Sequence, residues 1–409
     1  MKICVLGGGT VGSMTLLTIF RYIPFIDLRQ YPQAHKDVDV TCIYDSNIPH
    51  LQVGESASSI VNKTLSTVFN TPVTELIKEF DATIKTGTRY FWTKANGNVF
   101  DVQVLLDDKT PAKSLHIDSS EFSKFVINKL KTCKSNFTTI DDTITDVTQD
   151  SKSVKLKGNK GLYEFDFLID CRGTPSKEDL ANKDIYTPPK FEYVNSVILY
   201  PEYKTYNESY TSVHVHENGW MFGVPLRKRK GWGFLYNNNF LTTEEAIKQF
   251  STIKNIDAST LKRMTWKPYY RNKALDNKIL YLGSKLYFFD PHGALPLHFY
   301  NSIVSFVLRG VLLNVQDYDE FVKSSNTWYL KNLQSIQDLI SINYCGPNDI
   351  KSDFWDYAKS SSTKFLKEST HFNNAIKMHK KGLLAGYWAY PKEYFYSIIN
   401  GYKIDLSNF

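Results

Sequence analysis

The tightest constraint on this chain is its opening turn. Residues 2–6 (KICVL) form a short apolar run, Gly7-Gly8-Gly9-Thr10-Val11-Gly12 follows at once, and helical spacing runs from Gly12 to about Tyr22. A buried strand, a glycine turn and a helix in that order begin a βαβ unit, with 38–44 as its second strand. The Gly-x-Gly-x-x-Gly spacing then has a physical reading. Gly7 permits the tight turn, Gly9 lets the backbone approach a pyrophosphate, and Gly12 lets the helix pack on the strand. The helix N-terminus, with Thr10 and Val11 beside it, faces the phosphate charge. Asp45 ends the second strand, where an acidic side chain accepts hydrogen bonds from a ribose diol. The gap from Gly12 to Asp45 is wide because 23–37 is an insertion rich in proline and aromatics.

The rest of the chain frames this unit. Strand-like runs recur at 137–147, 152–156, 162–170, 192–200, 211–217 and 219–226, and helical spacing takes over from about 297, through 298–314 and 327–343. Asp118-Ser119-Ser120 is a cap cluster for a helix over 121–131, with Glu121 just inside it. The five cysteines are odd in number and form no CxxC pair, which points to buried thiols in a reducing compartment and to no metal site. Met1-Lys2 leads straight into a strand, and no apolar stretch is long enough to span a bilayer, so a cytoplasmic protein with no membrane partner is expected. The net charge of +7 is mild. Its densest run, Arg227 to Lys230, lies between two strand-like segments and ends at Gly231, so it reads as a solvated hairpin turn and not as a nucleic-acid site.

Two further strand ends point to the same ligand. Segment 165–173 (FDFLIDCRG) is a buried strand ending in Asp170 and Gly173. Segment 280–291 (LYLGSKLYFFDP) carries Asp290-Pro291 just before a helix. An acidic residue at that junction either caps the helix or meets the ribityl chain of a flavin, and with the opening turn the flavin role is favoured.

The order of these pieces resembles the flavin-dependent tryptophan halogenase family over nearly the whole chain. Asp45-Ser46-Asn47-Ile48-Pro49, running into Val53-Gly54-Glu55-Ser56-Ala57, is similar to the family's acidic strand end and to the strap it lays over the flavin. His116-Ile117-Asp118 and Ile169-Asp170-Cys171 fit in order. So do Gly219-Trp220-Met221-Phe222-Gly223-Val224-Pro225, Asp353-Phe354-Trp355 and Phe395 to Gly401. The resemblance implies an α/β fold in which a Rossmann-like FAD-binding domain of the glutathione-reductase type (1–85 with 116–175 and 275–315) interleaves with a β-rich substrate part (86–115 with 176–274), followed by a helical region, 316–409. Gly54, Glu55, Ser56 and Ala57 of the strap join the glycine turn as flavin contacts, and Ile144, Ser284 and Leu297 complete that set.

The resemblance also implies a chemistry. Reduced FAD, delivered by a separate flavin reductase, reacts with oxygen and a halide to give hypohalous acid, which travels through an internal tunnel to an electron-rich aromatic. A lysine beside the substrate then directs or carries the electrophilic halogen. Alignment outward from the strap places it at Lys85, where apolar neighbours would lower its pKa. Trp92, Trp220, Phe222 and Phe395 are the candidate walls of the substrate site.

The likeness breaks at one stretch. Where the family has Pro-Leu-Glu-Ser-Thr-Gly, this chain has Pro291-His292-Gly293-Ala294-Leu295-Pro296. Gly293 replaces the catalytic glutamate, and Pro296, having no N–H, removes a backbone donor for halide. His292 is then either the polar partner near Lys85 or a cap of its own loop. Bromide or iodide, easier to oxidise and to desolvate than chloride, would be the easier clients. Two alternatives stand beside halogenation: an FAD-dependent aromatic monooxygenase, and a catalytically silent FAD-binding protein. The sequence leaves a homo-oligomer open.

Overall fold

The protein is described by a computed structural model, which covers residues 1–49, 55–57, 59–93, 97–106, 109–381, 383 and 392–409. Its first sheet is built around the opening strand. Six strands run in the order Leu275–Asp276, Ile279–Tyr281, Phe167–Asp170, Lys2–Leu6, Asp39–Tyr44 and Phe137–Asp141. All neighbours are parallel except the hairpin at the Leu275 edge. Ile3 and Val5 are fully buried, as expected of a parallel strand covered on both faces. Leu6 lies opposite both Ile43 and Asp170, so the carboxyl ends of three strands meet at the glycine turn. Open parallel sheets bind their ligands at such an edge.

The run expected over 162–170 is interrupted at Asp166, because its two halves serve different sheets. Leu162–Phe165 pairs with Val154–Gly158, and Phe167–Asp170 pairs with the opening strand. Asp166 marks the crossing, its N–H donating to the Lys2 carbonyl and its carboxylate accepting from the Lys2 N–H. The helix expected over 327–343 is longer, Tyr318–Cys345, since Asp317 caps it by accepting from the Glu320 N–H at 3.0 Å. The helix after Asp118 runs Ser119–Cys133, its carboxylate accepting from the Ser120 and Glu121 amides.

A second sheet has seven strands: Lys262–Thr265, Ser196–Glu202, Lys230–Tyr236, Gly219–Pro225, Tyr210–His216, Gly87–Phe91 and Val99–Val102. One face is covered by the helix Thr243–Lys254 through Ile198, Met221, Phe234, Ala246 and Phe250. The opposite face sends Val213, Val215, Trp220 and Leu235 into the main core. Period-two alternation along these strands separates the two faces. The basic run does form the turn between Gly219–Pro225 and Lys230–Tyr236, but only in part as a solvated one. Arg229 is buried with Nη2 2.6 Å from Asp118 Oδ2, and Lys230 is buried in an ion pair with Glu208. The Arg229–Asp118 pair ties the second sheet to the cap of the Ser119–Cys133 helix.

A small third sheet, Glu55–Ser56, Ser114–Ile117 and Ala82–Lys85, lies beside the second. Thr83 donates to the Pro225 carbonyl at 2.8 Å, and His116 Nε2 meets Thr211 Oγ1 at 2.9 Å, which locks the two sheets together. Among the described residues, no helix is long and apolar enough to cross a membrane.

Candidate active site

The glycine turn has the shape that a bound pyrophosphate requires. Gly7 has φ of +114°, a region closed to most side chains, and a Cβ there would meet the Cys171 carbonyl oxygen at 2.9 Å. A Cβ on Gly12 would sit 1.9 Å from the Gly7 carbonyl oxygen, so only glycine lets helix and strand approach this closely. The helix Thr10–Tyr22 begins with no side-chain cap and no acidic residue in its first turn, which keeps its positive end available to an anion. Asp45 leaves the end of the second strand with its oxygens 2.5 Å from Thr143 Oγ1 and 2.9 Å from the Asn47 amide. The Thr143 hydroxyl, foremost, holds its carboxyl below the usual range, so an anionic acceptor is fixed beside the turn. Ile144 follows Thr143, and its carbonyl accepts from Arg172.

Val11 gathers the other expected flavin contacts. A Cβ on Gly283 would lie 3.4 Å from Val11 Cγ2, which brings the Gly283–Lys285 turn and Ser284 against the dinucleotide helix. Leu297 and Val11 line one small cavity with Met14 and Tyr300. The residues present therefore fit a dinucleotide of the FAD kind: a glycine cradle, an uncapped helix end and an ionised strand-end carboxylate.

The lysine and the strap meet on the third sheet. Ser114–Ile117 is its central strand, with Ser56 opposite His116 on one side and Lys85 opposite Ser114 on the other. Lys85 is 9% exposed, and its Nζ donates to Ser56 Oγ. Burial alone lowers its pKa to about 8. Among the described residues the hydrogen-bond partner of the ammonium is a neutral hydroxyl. Ala57 is buried and its N–H donates to the Leu115 carbonyl at 2.8 Å. Gly54 lies outside the described residues, and of Glu55 only the strand position is described. His116 was not singled out by the sequence for this role. It is fully buried between Thr83 and Thr211, and burial, followed by the charges of Lys85 and Lys230, holds it well below its ordinary value. The alternation over 114–117 was the available signal.

His292 is placed differently from the expectation. It is fully buried and, among the described residues, neither ring nitrogen has a hydrogen-bond partner, so it is not bonded to Lys85. Its ring instead lies among aromatics, 4.2 Å from Trp220, 5.5 Å from Tyr344, 5.8 Å from Trp92 and 5.9 Å from Tyr90, centroid to centroid. Burial lowers its pKa to about 3, so the imidazole is neutral at any working pH. Trp92 and Trp220 are thus packed around His292, and Phe222 lies half-buried across from Gly233, where a Cβ would strike its ring. Phe395 is buried in the helical layer, 6.4 Å from Phe372.

Asp290 is drawn into the core beside this box. Its oxygens accept from the Tyr344 hydroxyl at 2.5 Å and from the His292 N–H at 2.9 Å, and Tyr344 in turn accepts from Trp220 Nε1 at 2.8 Å. Burial raises its pKa to about 7 despite those donors. Both oxygens thus have protein donors, and the helix Pro296–Leu312 that follows begins with no side-chain cap. Tyr344 carried no sequence signal beyond helical spacing.

A family model described as tryptophan halogenase matches residues 2–102 and 106–404. The chain belongs to the tryptophan halogenase family. Its relatives include a tryptophan 6-halogenase of Streptomyces albogriseolus, 28% identical over 153 residues, which are 35% of this chain and 28% of that protein. A tryptophan 7-halogenase of a Kutzneria strain is 23% identical over 297 residues, 67% of this chain and 52% of the relative. The chain therefore spans about half or less of the curated relatives it matches. Solved structures agree in fold: a tryptophan halogenase of Shewanella frigidimarina superposes with a TM-score of 0.82 at 16% identity, over 99% of this chain and 89% of that one. A flavin-dependent halogenase of Brevundimonas gives 0.79 at 15%, over 98% and 89%. Family members are flavin-dependent halogenases, and the mixed α/β architecture described above is theirs.

Proposed function

We propose that this chain is a flavin-dependent halogenase that takes reduced FAD from a separate flavin reductase, and uses oxygen and a halide to halogenate an electron-rich, indole-like aromatic. The observation that carries this reading is Lys85: a lysine buried on a strand, hydrogen-bonded to Ser56 of the strap, with its pKa lowered to about 8. Gly7, Gly9, Thr10, Val11, Gly12 and Asp45 would hold the dinucleotide, with Gly54 to Ala57, Ile144, Ser284 and Leu297 around it. Bound in the reduced form, FAD would supply the two electrons that bring oxygen to the peroxide level, and that oxygen is the oxidant that turns halide into hypohalous acid.

The chain's own part is positioning and charge. Near neutral pH, Lys85 is mainly an ammonium, and a buried ammonium is a strong hydrogen-bond donor to the oxygen of a hypohalous acid. That bond draws electron density from the halogen and makes it more electrophilic toward an aromatic carbon. Ser56 fixes where the ammonium points. The packed aromatic surface around His292 keeps water from competing for the reagent.

The purified chain, supplied with reductase, FAD, each halide in turn and a panel of indoles and phenols, is expected to yield products heavier by one halogen, with bromide used faster than chloride. Equal rates with chloride would reject the halide preference, and no halogenated product in any arm would reject the reading. Gly293 and Pro296 favour one second reading, an FAD-dependent aromatic monooxygenase. Its mark is a product heavier by one oxygen whether or not halide is present.

A further inference from the structure

Gly293 lies in the turn His292–Ala294, at the position where the family motif has its glutamate, and its φ of +77° favours glycine. The space a side chain would enter there is filled. A Cβ on Gly293 would lie 2.9 Å from Tyr394 Oη and 3.2 Å from Leu295 Cγ. The Tyr394 hydroxyl also donates to the Gly293 carbonyl at 3.3 Å. Tyr394 stands in the first turn of the helix Lys392–Tyr402, whose other end is firmly held. Tyr402 at that end is fully buried, 5.0 Å from the Trp92 ring and 5.6 Å from Tyr90, with its hydroxyl on Asn343 Oδ1 at 3.1 Å. One helix therefore packs against the wall around His292 and sets a phenol on Gly293.

We propose that Tyr394 is a positioning residue of the halogenation site, its hydroxyl occupying the space that a side chain at position 293 would need and holding the His292–Ala294 turn. This rests on the halogenase reading. It accounts for the glycine at position 293, whose side-chain space is already filled. Burial pushes the Tyr394 phenol up, so the group is a neutral O–H throughout the working pH range. The loop and the helix exchange roles: one gives up its side chain and the other supplies it.

The test pairs kinetics with the stability of the flavin-free chain. Tyr394→Phe is nearly isosteric and removes only the hydroxyl. It is expected to lower kcat for halogenation about tenfold, the equivalent of one hydrogen bond, with substrate KM and FAD affinity within about twofold of the parent. Gly293→Ala is expected to lower Tm in the parent and to lower it less in the Tyr394→Phe background, because the atom that meets the new Cβ is then gone. A Tyr394→Phe chain with the parent's kcat overturns the inference alone. So does a Gly293→Ala loss in Tm that is identical in both backgrounds. A parent chain that makes no halogenated product overturns the halogenase reading and this inference with it.

Discussion

Two of the buried basic side chains, Lys85 and His292, are treated in opposite ways. Lys85 keeps one donor bond, to Ser56, and its pKa is lowered only to about 8. The His292 ring has no hydrogen-bond partner among the described residues, is surrounded by other rings, and is lowered to about 3. Desolvation acts on both. The lysine remains able to carry charge where the strap brings a hydroxyl to it. The histidine is neutral at any working pH and acts through its ring, as part of a packed wall. Chemistry is therefore expected at the third sheet, and shape at the His292 turn.

The sharpest way to break that contrast is at Lys85. Lys85→Ala is expected to lower halogenation by roughly a hundredfold or more, with FAD affinity unchanged. Lys85→Met should be equally inactive and yet more stable than the parent by about 1–3 kcal/mol at pH 7, since it replaces a buried ammonium by an apolar chain of similar length. The sign follows from linkage. The folded pKa near 8 lies below the unfolded value of about 10.4, so between these the unfolded chain binds the extra proton, and parent stability rises with pH across that window. Turnover unchanged in Lys85→Ala would remove the lysine from the mechanism.

The next test is at His292 and reads stability alone. Its folded pKa of about 3 lies below the unfolded value of about 6.5, so the unfolded chain binds a proton that the folded one refuses. Stability should then fall as pH drops below 6.5, by at most about 1.4 kcal/mol per pH unit for this one group. His116, His214 and His216 are also held low by burial, so His292→Phe should make the acid limb shallower without flattening it. Denaturant titrations of parent and variant from pH 7 to 4 measure this. Identical slopes would mean that His292 is protonated inside the fold.

How much of this was legible in the sequence follows from the distance over which each feature is decided. The glycine turn is decided within six residues, because backbone approach and helix packing are local demands, and the structure has it at Gly7 and Gly12 as read. Lys85 could be found only through its resemblance to the family's lysine, since a lone strand lysine carries no signal of burial. Its bond to Ser56 depends on both strands flanking 114–117, a pairing that no local pattern specifies. The wall around His292 draws on residues 90, 92, 220 and 344 from three widely separated stretches of chain, so the expectation that His292 would pair with Lys85 could not weigh the apolar surface waiting for it. Asp166 splits one run into two strands for the same reason: alternation marks a strand but not the sheet it joins.

The smallest effect, and the one that most directly joins the two halves of the contrast, is expected at Ser56. The bond from Lys85 Nζ to Ser56 Oγ favours the charged amine, so its removal should move Lys85 part of the way toward the unpartnered condition of His292. A hydrogen bond to a charged group contributes about 1.5 kcal/mol or somewhat more, which is equivalent to roughly one pH unit. Ser56→Ala should therefore lower the Lys85 pKa from about 8 toward neutrality, displacing the alkaline limb of the kcat profile to lower pH while leaving its plateau within about tenfold of the parent. Ser56→Thr keeps the hydroxyl and should restore the parent profile. If the alkaline limb stays in place in Ser56→Ala, the strap does not control the ionisation of Lys85, and burial by the surrounding strands alone accounts for its lowered value.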